Sequence, residues 1–147
     1  MVLLSKLRWD AALKDQQQAF KEIVIDNAIA PQMLVRPISK SYWDNAAKVL
    51  KDMGYERVKH ITYELLTWLQ DYNWPGADTI IDLLKTFPNQ ELVPYYEKAI
   101  MDAISKNDEL WLDYLSVFVF LKKITKSDFI HKELYDVMKK HEDQWIV

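Results

Sequence analysis

The scarcity of turn residues restricts the fold of this chain more than any other feature. Only two glycines and five prolines occur among its 147 residues. A β-sandwich or β-barrel of this length needs many more turn residues. The apolar residues also recur at intervals of three and four, which is the helical period. The sequence therefore predicts an all-α protein.

Glycine, proline and capping residues divide the chain into about seven predicted helices. Gly54 is placed to end the second helix, and Pro75 to open the fourth. Asp108 and Ser127 can cap the sixth and seventh. The predicted helices span Trp9 to Ala28 (with Asn27 on the apolar side), Ser39 or Ser41 to Gly54, Glu56 to Gln70, Pro75 to before Pro88, and Val93-Pro94 to Lys106, followed by those starting at Asp108 and Ser127.

Apolar positions repeat at an interval of about 34 residues across three helix pairs. The first helices carry Ala46, Leu50 and Met53, then Ile80, Leu84 and Phe87, then Tyr114, Phe118 and Leu121; the partner helices carry Ile61 and Leu65, Tyr96 and Ile100, Ile130 and Leu134. A two-helix repeat of this length is typical of an α-solenoid. The glycine pattern of tetratricopeptide repeats is absent. We therefore expect a right-handed α-α superhelix, an irregular HEAT-like stack of helix pairs, with the nearly all-apolar sixth helix at its centre.

The predicted stack lies within one domain. Residues 38–142 form the three stacked helix pairs, and residues 1–30 form an N-terminal helical arm, so that the single helical domain spans residues 1–147. The arm is also the expected place for self-association.

Charge and composition argue against several functions. The net charge is −3, whereas duplex binding needs a basic face that replaces condensed counterions. The absence of cysteine excludes disulfides and thiolate chemistry. The N-terminus lacks a signal-peptide pattern, and the stretch from Trp111 to Leu121 is too short to span a bilayer. We expect a cytoplasmic protein that binds neither nucleic acid nor membrane.

One long motif resembles a known family. Residues 65–77 read LLTWLQDYNWPGA and match the family pattern L-L-x-W-L-Q-D-x-N-W-P-x-A. Weaker support comes from Leu50–Tyr55 and Asp108–Trp111. From Val35 to about Lys123, the chain resembles a bacterial family, the domain of unknown function 5071. The resemblance implies a small HEAT-like helical protein and implies no activity.

The Trp68–Pro75 segment is the first candidate for a binding site. As a functional patch, Asp71, Asn73 and Trp74 would hold a peptide or a small ligand, because tryptophan is enriched at interface hot spots. As a helix junction, the same segment would bury Trp68, cap the next helix with Asp71 or Asn73, and staple the turn with Trp74. Both interpretations stay open.

A second acid-plus-tryptophan pair, Asp108 and Trp111, follows about one repeat later. In a solenoid, equivalent loops emerge on the same edge. This spacing predicts a partner-binding ridge of Asp71, Asn73, Trp74, Asp108 and Trp111. The alternative is two N-caps, each followed by a core tryptophan.

Catalytic and metal-binding patterns are weak. His60 and Glu64 have the four-residue spacing of a metal pair, but they are expected to face water and have no third ligand nearby. His131 and His141 are expected on a solvated face of the last helix. The serines lack a nucleophile-elbow context, and no phosphate-binding glycine loop occurs. We expect no enzyme activity, no metal and no cofactor.

These observations favour a protein–protein interaction module whose partner is another protein. A neutralising, immunity-type or regulatory binder fits this description by analogy of class only. The alternative is a small-ligand-binding protein or an enzyme with a pocket near Asp71, Asn73 and Trp74. A homo-oligomer formed through residues 1–30 is a third interpretation.

Overall fold

The structure is a computed structural model that describes residues 2–26 and 28–145. All regular structure in these ranges is helical, which confirms the all-α prediction. The α-helices are α1 (Val2–Ser5), α2 (Leu13–Ile25), α3 (Trp43–Met53), α4 (Tyr55–Val58), α5 (Thr62–Thr67), α6 (Ala77–Leu84), α7 (Asn89–Ser105), α8 (Glu109–Lys122) and α9 (Lys132–Trp145). Short 3-10 turns span Pro31–Leu34, Lys40–Tyr42, Lys59–Ile61, Trp68–Gln70 and Lys126–Asp128. None of the described helices is long and apolar enough to cross a bilayer.

The helices share one hydrophobic core. α3 packs against α2 and α6, and α5 packs against α7. α8 packs against α7, α9 and the Trp68–Gln70 turn. The core therefore continues from the N-terminal α2 to the C-terminal α9.

The 34-residue interval describes the first two helix pairs better than the third. All five positions of the first pair are buried, and so are all five of the second. In the third pair Phe118 and Leu134 are buried, but Leu121 and Ile130 are exposed. Because α8 packs on α7 and on the Trp68–Gln70 turn, its outer positions lie outside the core. Five apolar residues of the predicted central helix are buried, namely Trp111, Leu112, Leu115, Phe118 and Val119, whereas Leu110, Phe120 and Leu121 are exposed.

The predicted third helix is interrupted. α4 and α5 are separated by the Lys59–Ile61 turn, and the Trp68–Gln70 turn follows α5. The Thr62 hydroxyl donates to the Lys59 carbonyl (2.6 Å), and the Thr67 hydroxyl donates to the Glu64 carbonyl (2.5 Å). Such side-chain bonds compete with the helical backbone pattern, and each of these two lies beside a break.

Two proline-based helix starts are wrong. Pro75 lies before α6, which begins at Ala77 because Gly76 is left-handed, with φ of +86°. Pro94 lies inside α7, which begins at Asn89. Pro94 lacks the N–H that would bond to the Gln90 carbonyl, and Gln90 itself is exposed.

The predicted cap of the last helix is also wrong. Thr125, not Ser127, forms a capping box with Asp128 at the short turn. The backbone N–H of Thr125 bonds to Asp128 (2.9 Å) and lowers the pKa of that carboxyl. α9 itself begins at Lys132, where the buried Glu97 of α7 accepts the N–H of His131 (2.5 Å). The last helix is thus capped by a residue from another helix.

Side chains of the N-terminal segment pack into the same core as the later helices. α2 begins at Leu13, later than the predicted Trp9, and the predicted place of Asn27 on its apolar side falls outside the described residues. Ala19 and Ile23 of α2 are fully buried. Arg57 donates a hydrogen bond to the Val24 carbonyl, and Asn45 donates one to the Leu7 carbonyl (2.8 Å). The buried residues of this segment, Leu4, Leu7, Ala19 and Ile23, therefore stabilise the same core as the later helices.

Two isoleucines of α2 test this packing. Ile23→Ala should lower the free energy of unfolding by about 3 kcal/mol, because it opens a cavity in the core. Ile25, which is 78% exposed, is the matched control, and Ile25→Ala should change stability by less than about 0.5 kcal/mol. Urea unfolding followed by circular dichroism measures both. Equal values would contradict the packing of α2 on the core.

Gly76 offers a second test. A Cβ atom there would lie 2.8 Å from both Ala47 Cβ and the Trp43 carbonyl oxygen. Gly76→Ala should therefore cost about 3 kcal/mol, from the positive φ and the overpacking together. In an Ala47→Gly background the cost should fall, since one of the two contacts is gone. The same cost in both backgrounds, measured by urea unfolding, would show that the contact with Ala47 is not responsible.

Candidate functional site: the tryptophan edge

Trp68 lies in the core and fixes the loop that follows it. Its side chain is fully buried, and its indole N–H donates to the Pro75 carbonyl (3.0 Å). Trp43 packs edge-on against it, with 6.2 Å between ring centroids. The motif at residues 65–77 thus folds back on its own tryptophan, as the helix-junction interpretation requires for Trp68.

Trp74 is half-buried between two other side chains. Its ring packs edge-on against Trp43 (5.5 Å between centroids), and the Arg36 guanidinium lies 5.1 Å from its centroid. Arg36 also donates to the Thr67 hydroxyl (3.0 Å), and burial lowers the pKa of this arginine. Trp74 can therefore offer only part of its ring to a partner.

Asp71 closes the turn and does not project from it. Its carboxylate accepts the backbone N–H of Asn73 (2.8 Å), and its carbonyl accepts the N–H of Trp74 (3.0 Å). This arrangement is an Asx turn. Neither Asp71 nor Asn73 caps α6, whose N-cap residue is Gly76. Asn73 is exposed, so its amide remains available to a partner.

Tyr72 ties the same loop to α8, a role that the sequence analysis missed. Its ring stacks on Tyr114 at 4.3 Å and 11°, and its hydroxyl donates to the Tyr114 carbonyl (2.7 Å). Burial, with a smaller contribution from Tyr114, raises the pKa of Tyr72 well above its usual value. The periodicity of the chain carries no signal for this contact, because the two tyrosines are 42 residues apart.

The predicted ridge loses one of its members. Asp108 caps α8, as the sequence indicated, since its carboxylate accepts the N–H of Trp111 (3.1 Å). Trp111 is fully buried, and its indole nitrogen has no hydrogen-bond partner among the described residues. Its assignment as a partner-binding residue is therefore wrong, because α8 turns this ring into the core. Asp71, Asn73 and Trp74 share one loop, and Asp108 lies on another.

The structure instead brings Trp9 beside the Trp74 loop. Trp9 is 68% exposed, and its backbone N–H bonds to the Ser41 carbonyl (3.0 Å). A shallow cavity of about 360 Å³ lies between the N-terminal segment and the Trp74 loop, and it is lined by Trp9, Lys40, Ser41, Asp44 and Pro75. We call the surface formed by Trp9, Ile38, Lys40, Trp43, Trp74 and Pro75 the tryptophan edge.

Ile38 projects from the tryptophan edge on a strained loop. It is 83% exposed, and both Arg36 and Ile38 have positive φ angles, +42° and +41°. This conformation is unfavourable for a β-branched residue. The Trp43 indole donates to the Pro37 carbonyl (3.1 Å) and holds the strained segment in place. Strain of this kind concentrates at functional sites.

The three histidines differ in their exposure and in their neighbours. The described residues hold no group of three or more His, Cys, Asp or Glu side chains that could bind a metal. His60 and Glu64 are exposed on the same segment, as predicted. The prediction that His141 is solvated is wrong, because its side chain is 10% exposed and its Nδ1 lies 2.8 Å from an Asp113 carboxylate oxygen. His131 is exposed, as expected, and lies beside Glu97.

A cap exchange separates the two interpretations of Asp108. Asp108→Ala should lower stability by about 1 kcal/mol, because the first turn of α8 loses its acceptor. Asp108→Asn should lose much less, since asparagine also caps helices. Thermal unfolding measures both variants. Equal losses would show that the charge matters and not the cap.

Comparison with known proteins identifies the family of this chain. Searches among curated proteins and among solved structures found no match. The family model described as domain of unknown function (DUF5071) matches residues 38–145. The match extends past the motif resemblance to include the whole of α9, and it begins after α2. Since it covers most of the chain, this protein belongs to the DUF5071 family.

Proposed function

We propose that this protein is a protein-interaction module that binds its partner through the tryptophan edge. The observation that carries the proposal is the exposed Trp9 side chain, which lines a shallow cavity together with Pro75, the residue after the half-buried Trp74. The exposed Ile38 follows Pro37, whose carbonyl accepts the Trp43 indole N–H. Exposed large apolar groups arranged together are typical of protein-binding surfaces. Tryptophan is also among the residues that most often dominate binding energy.

The rigidity of the tryptophan edge supports this proposal. The Trp9 backbone is bonded to Ser41, and the Trp43 indole is bonded to the Pro37 carbonyl. A surface that is already ordered loses less conformational entropy when it binds. Lys40, whose ammonium lies 5.9 Å from the Trp43 centroid, adds a positive charge at the rim.

An enzyme pocket receives less support. Asp71 is engaged by the backbone of its own turn, and Asp44 is the single carboxylate among the described residues lining the cavity beside Pro75. Catalysis by general acids and bases needs convergent groups in a concave pocket. At the alternative small-ligand site near Asp71, Asn73 and Trp74, the Arg36 guanidinium already occupies part of the Trp74 ring surface.

The arrangement of helices also belongs to the proposal. We infer a HEAT-like, right-handed stack, on the grounds that α3 packs on α6 and α5 packs on α7 with the 34-residue interval between them. Stacks of this kind present extended surfaces that bind partners.

Two substitutions on the tryptophan edge test the proposal. A partner captured by the wild-type protein from its native lysate would be purified and titrated by calorimetry. Trp9→Ala should weaken the Kd at least about 30-fold, the effect of losing a hot-spot side chain of about 2 kcal/mol. Ile38→Asn should also weaken binding while keeping or raising stability, because asparagine tolerates positive φ.

The matched control is Ile130→Ala. Ile130 is 65% exposed and lies outside the tryptophan edge, so this change should leave both the Kd and the melting temperature unaltered. Full affinity of the Trp9→Ala and Ile38→Asn variants would contradict the edge as the binding surface. Absence of any stoichiometric partner would remove the interaction proposal itself.

A further inference from the structure

A second concave surface runs between α2 and α3. Two adjoining cavities, of about 420 Å³ and 180 Å³, share Phe20 and Lys21 in their linings. Along α2 the linings extend from Leu13 to Val24 and Ile25, and along α3 they include Lys48 and Asp52. Leu13 and Val24 are eleven residues apart, so the α2–α3 groove extends for about 16 Å at 1.5 Å per residue.

Apolar side chains of α2 line the α2–α3 groove, together with the half-buried polar residues Gln16 and Asn45. Leu13 is 67% exposed, and Phe20 and Val24 are half-buried against the core. These three residues are spaced by seven and four positions and therefore share one face of α2. A helix of about three turns has the length and the side-chain spacing to lie along such a surface.

The rim of the α2–α3 groove is mainly cationic, although the whole chain is acidic. Lys21 and Lys48 are exposed, and neither forms an ion pair within the described part of the chain. Asp52 is the one carboxylate among the described residues that line the groove. Against a net charge of −3, this groove is a local patch of the opposite sign.

We infer that the α2–α3 groove binds an acidic amphipathic helix of the partner protein. The partner's apolar residues, spaced by about four and seven, lie on Leu13, Phe20 and Val24. Its flanking carboxylates lie near Lys21 and Lys48. This is the helix-in-groove mode of recognition, with the charges arranged to select the partner.

A second copy of the chain fits the α2–α3 groove less well. In a two-fold contact the same patch faces itself. The two copies would bring four exposed lysines together and only two carboxylates, from Asp52. An acidic partner removes this repulsion, so the charge pattern favours a different protein.

The α2–α3 groove adjoins the tryptophan edge. The Gln16 side-chain amide lines the groove and donates to the Trp9 carbonyl (3.0 Å). This inference deepens the proposed function. It rests on the proposed function in one respect, namely that the ligand is a protein. α2 lies outside the matched residues 38–145, so the groove combines a helix of the family region with one that precedes it.

Two synthetic helical peptides test the α2–α3 groove directly. Both carry leucines at positions i, i+4, i+7 and i+11, and they differ in flanks of glutamate or of lysine. Fluorescence anisotropy at low salt should show the glutamate-flanked peptide binding about tenfold tighter or more. The double variant Lys21→Glu/Lys48→Glu should reverse this preference, and Leu13→Asp should weaken binding of both peptides.

Control variants keep the result interpretable. Lys14→Glu changes an exposed lysine of the same helix that lies outside the groove lining. This variant should still bind the glutamate-flanked peptide more tightly than the lysine-flanked peptide. Trp9→Ala should leave peptide affinity unchanged, so failure of the tryptophan edge and failure of the groove can be told apart. Circular dichroism verifies that each variant is folded.

Three outcomes would overturn the inference. They are no binding of the glutamate-flanked peptide, equal affinity for the two peptides, and a preference that survives the reversal of Lys21 and Lys48. Sedimentation of the free protein as a dimer that Leu13→Asp dissociates would assign the groove to a second copy instead.

Discussion

The close approach of the Gly76 backbone to α3 is the constraint on which the middle of this structure depends. Gly76 lies against Ala47 and the Trp43 carbonyl, where a side chain has no room. The Trp68 indole closes the same turn by bonding to Pro75. Together these contacts fix α3, the end of α5 and the start of α6 around three tryptophans. The acidic and aromatic residues of the motif therefore serve mainly to shape the junction, and they limit what the loop can offer to a ligand.

The N-terminal segment lies outside the family match but packs against the matched helices. The matched region begins at residue 38, yet Leu7, Ala19 and Ile23 are buried in the same core as the matched helices. Trp9 and Leu13, in contrast, are exposed beside that region. Both proposed surfaces lie where the N-terminal segment meets the family helices. Partner choice in this protein would thus depend on residues that the family pattern does not include.

Much of the fold could be predicted from the sequence, because helix formation and helix termination are largely local. The helical period, the end of α3 at Gly54 and the capping of α8 by Asp108 all followed from neighbouring residues. The starts of α6 and α7 could not be predicted from Pro75 and Pro94, because proline permits more than one position near a helix start. The candidate site was harder to predict. Trp74 and Trp111 both follow an acid by three residues, yet one is half-buried and the other lies in the core.

The sequence by itself determined the all-α class, the end of α3 at Gly54 and the cap of α8 at Asp108, since these depend on periodicity and on local backbone chemistry. Tertiary structure alone decided which apolar residues stay exposed. It joined Tyr72 to Tyr114, supplied Glu97 as the cap of α9, and placed Trp9 beside Pro75. These contacts join residues far apart in the chain, and only the packing of whole helices brings them within reach of one another.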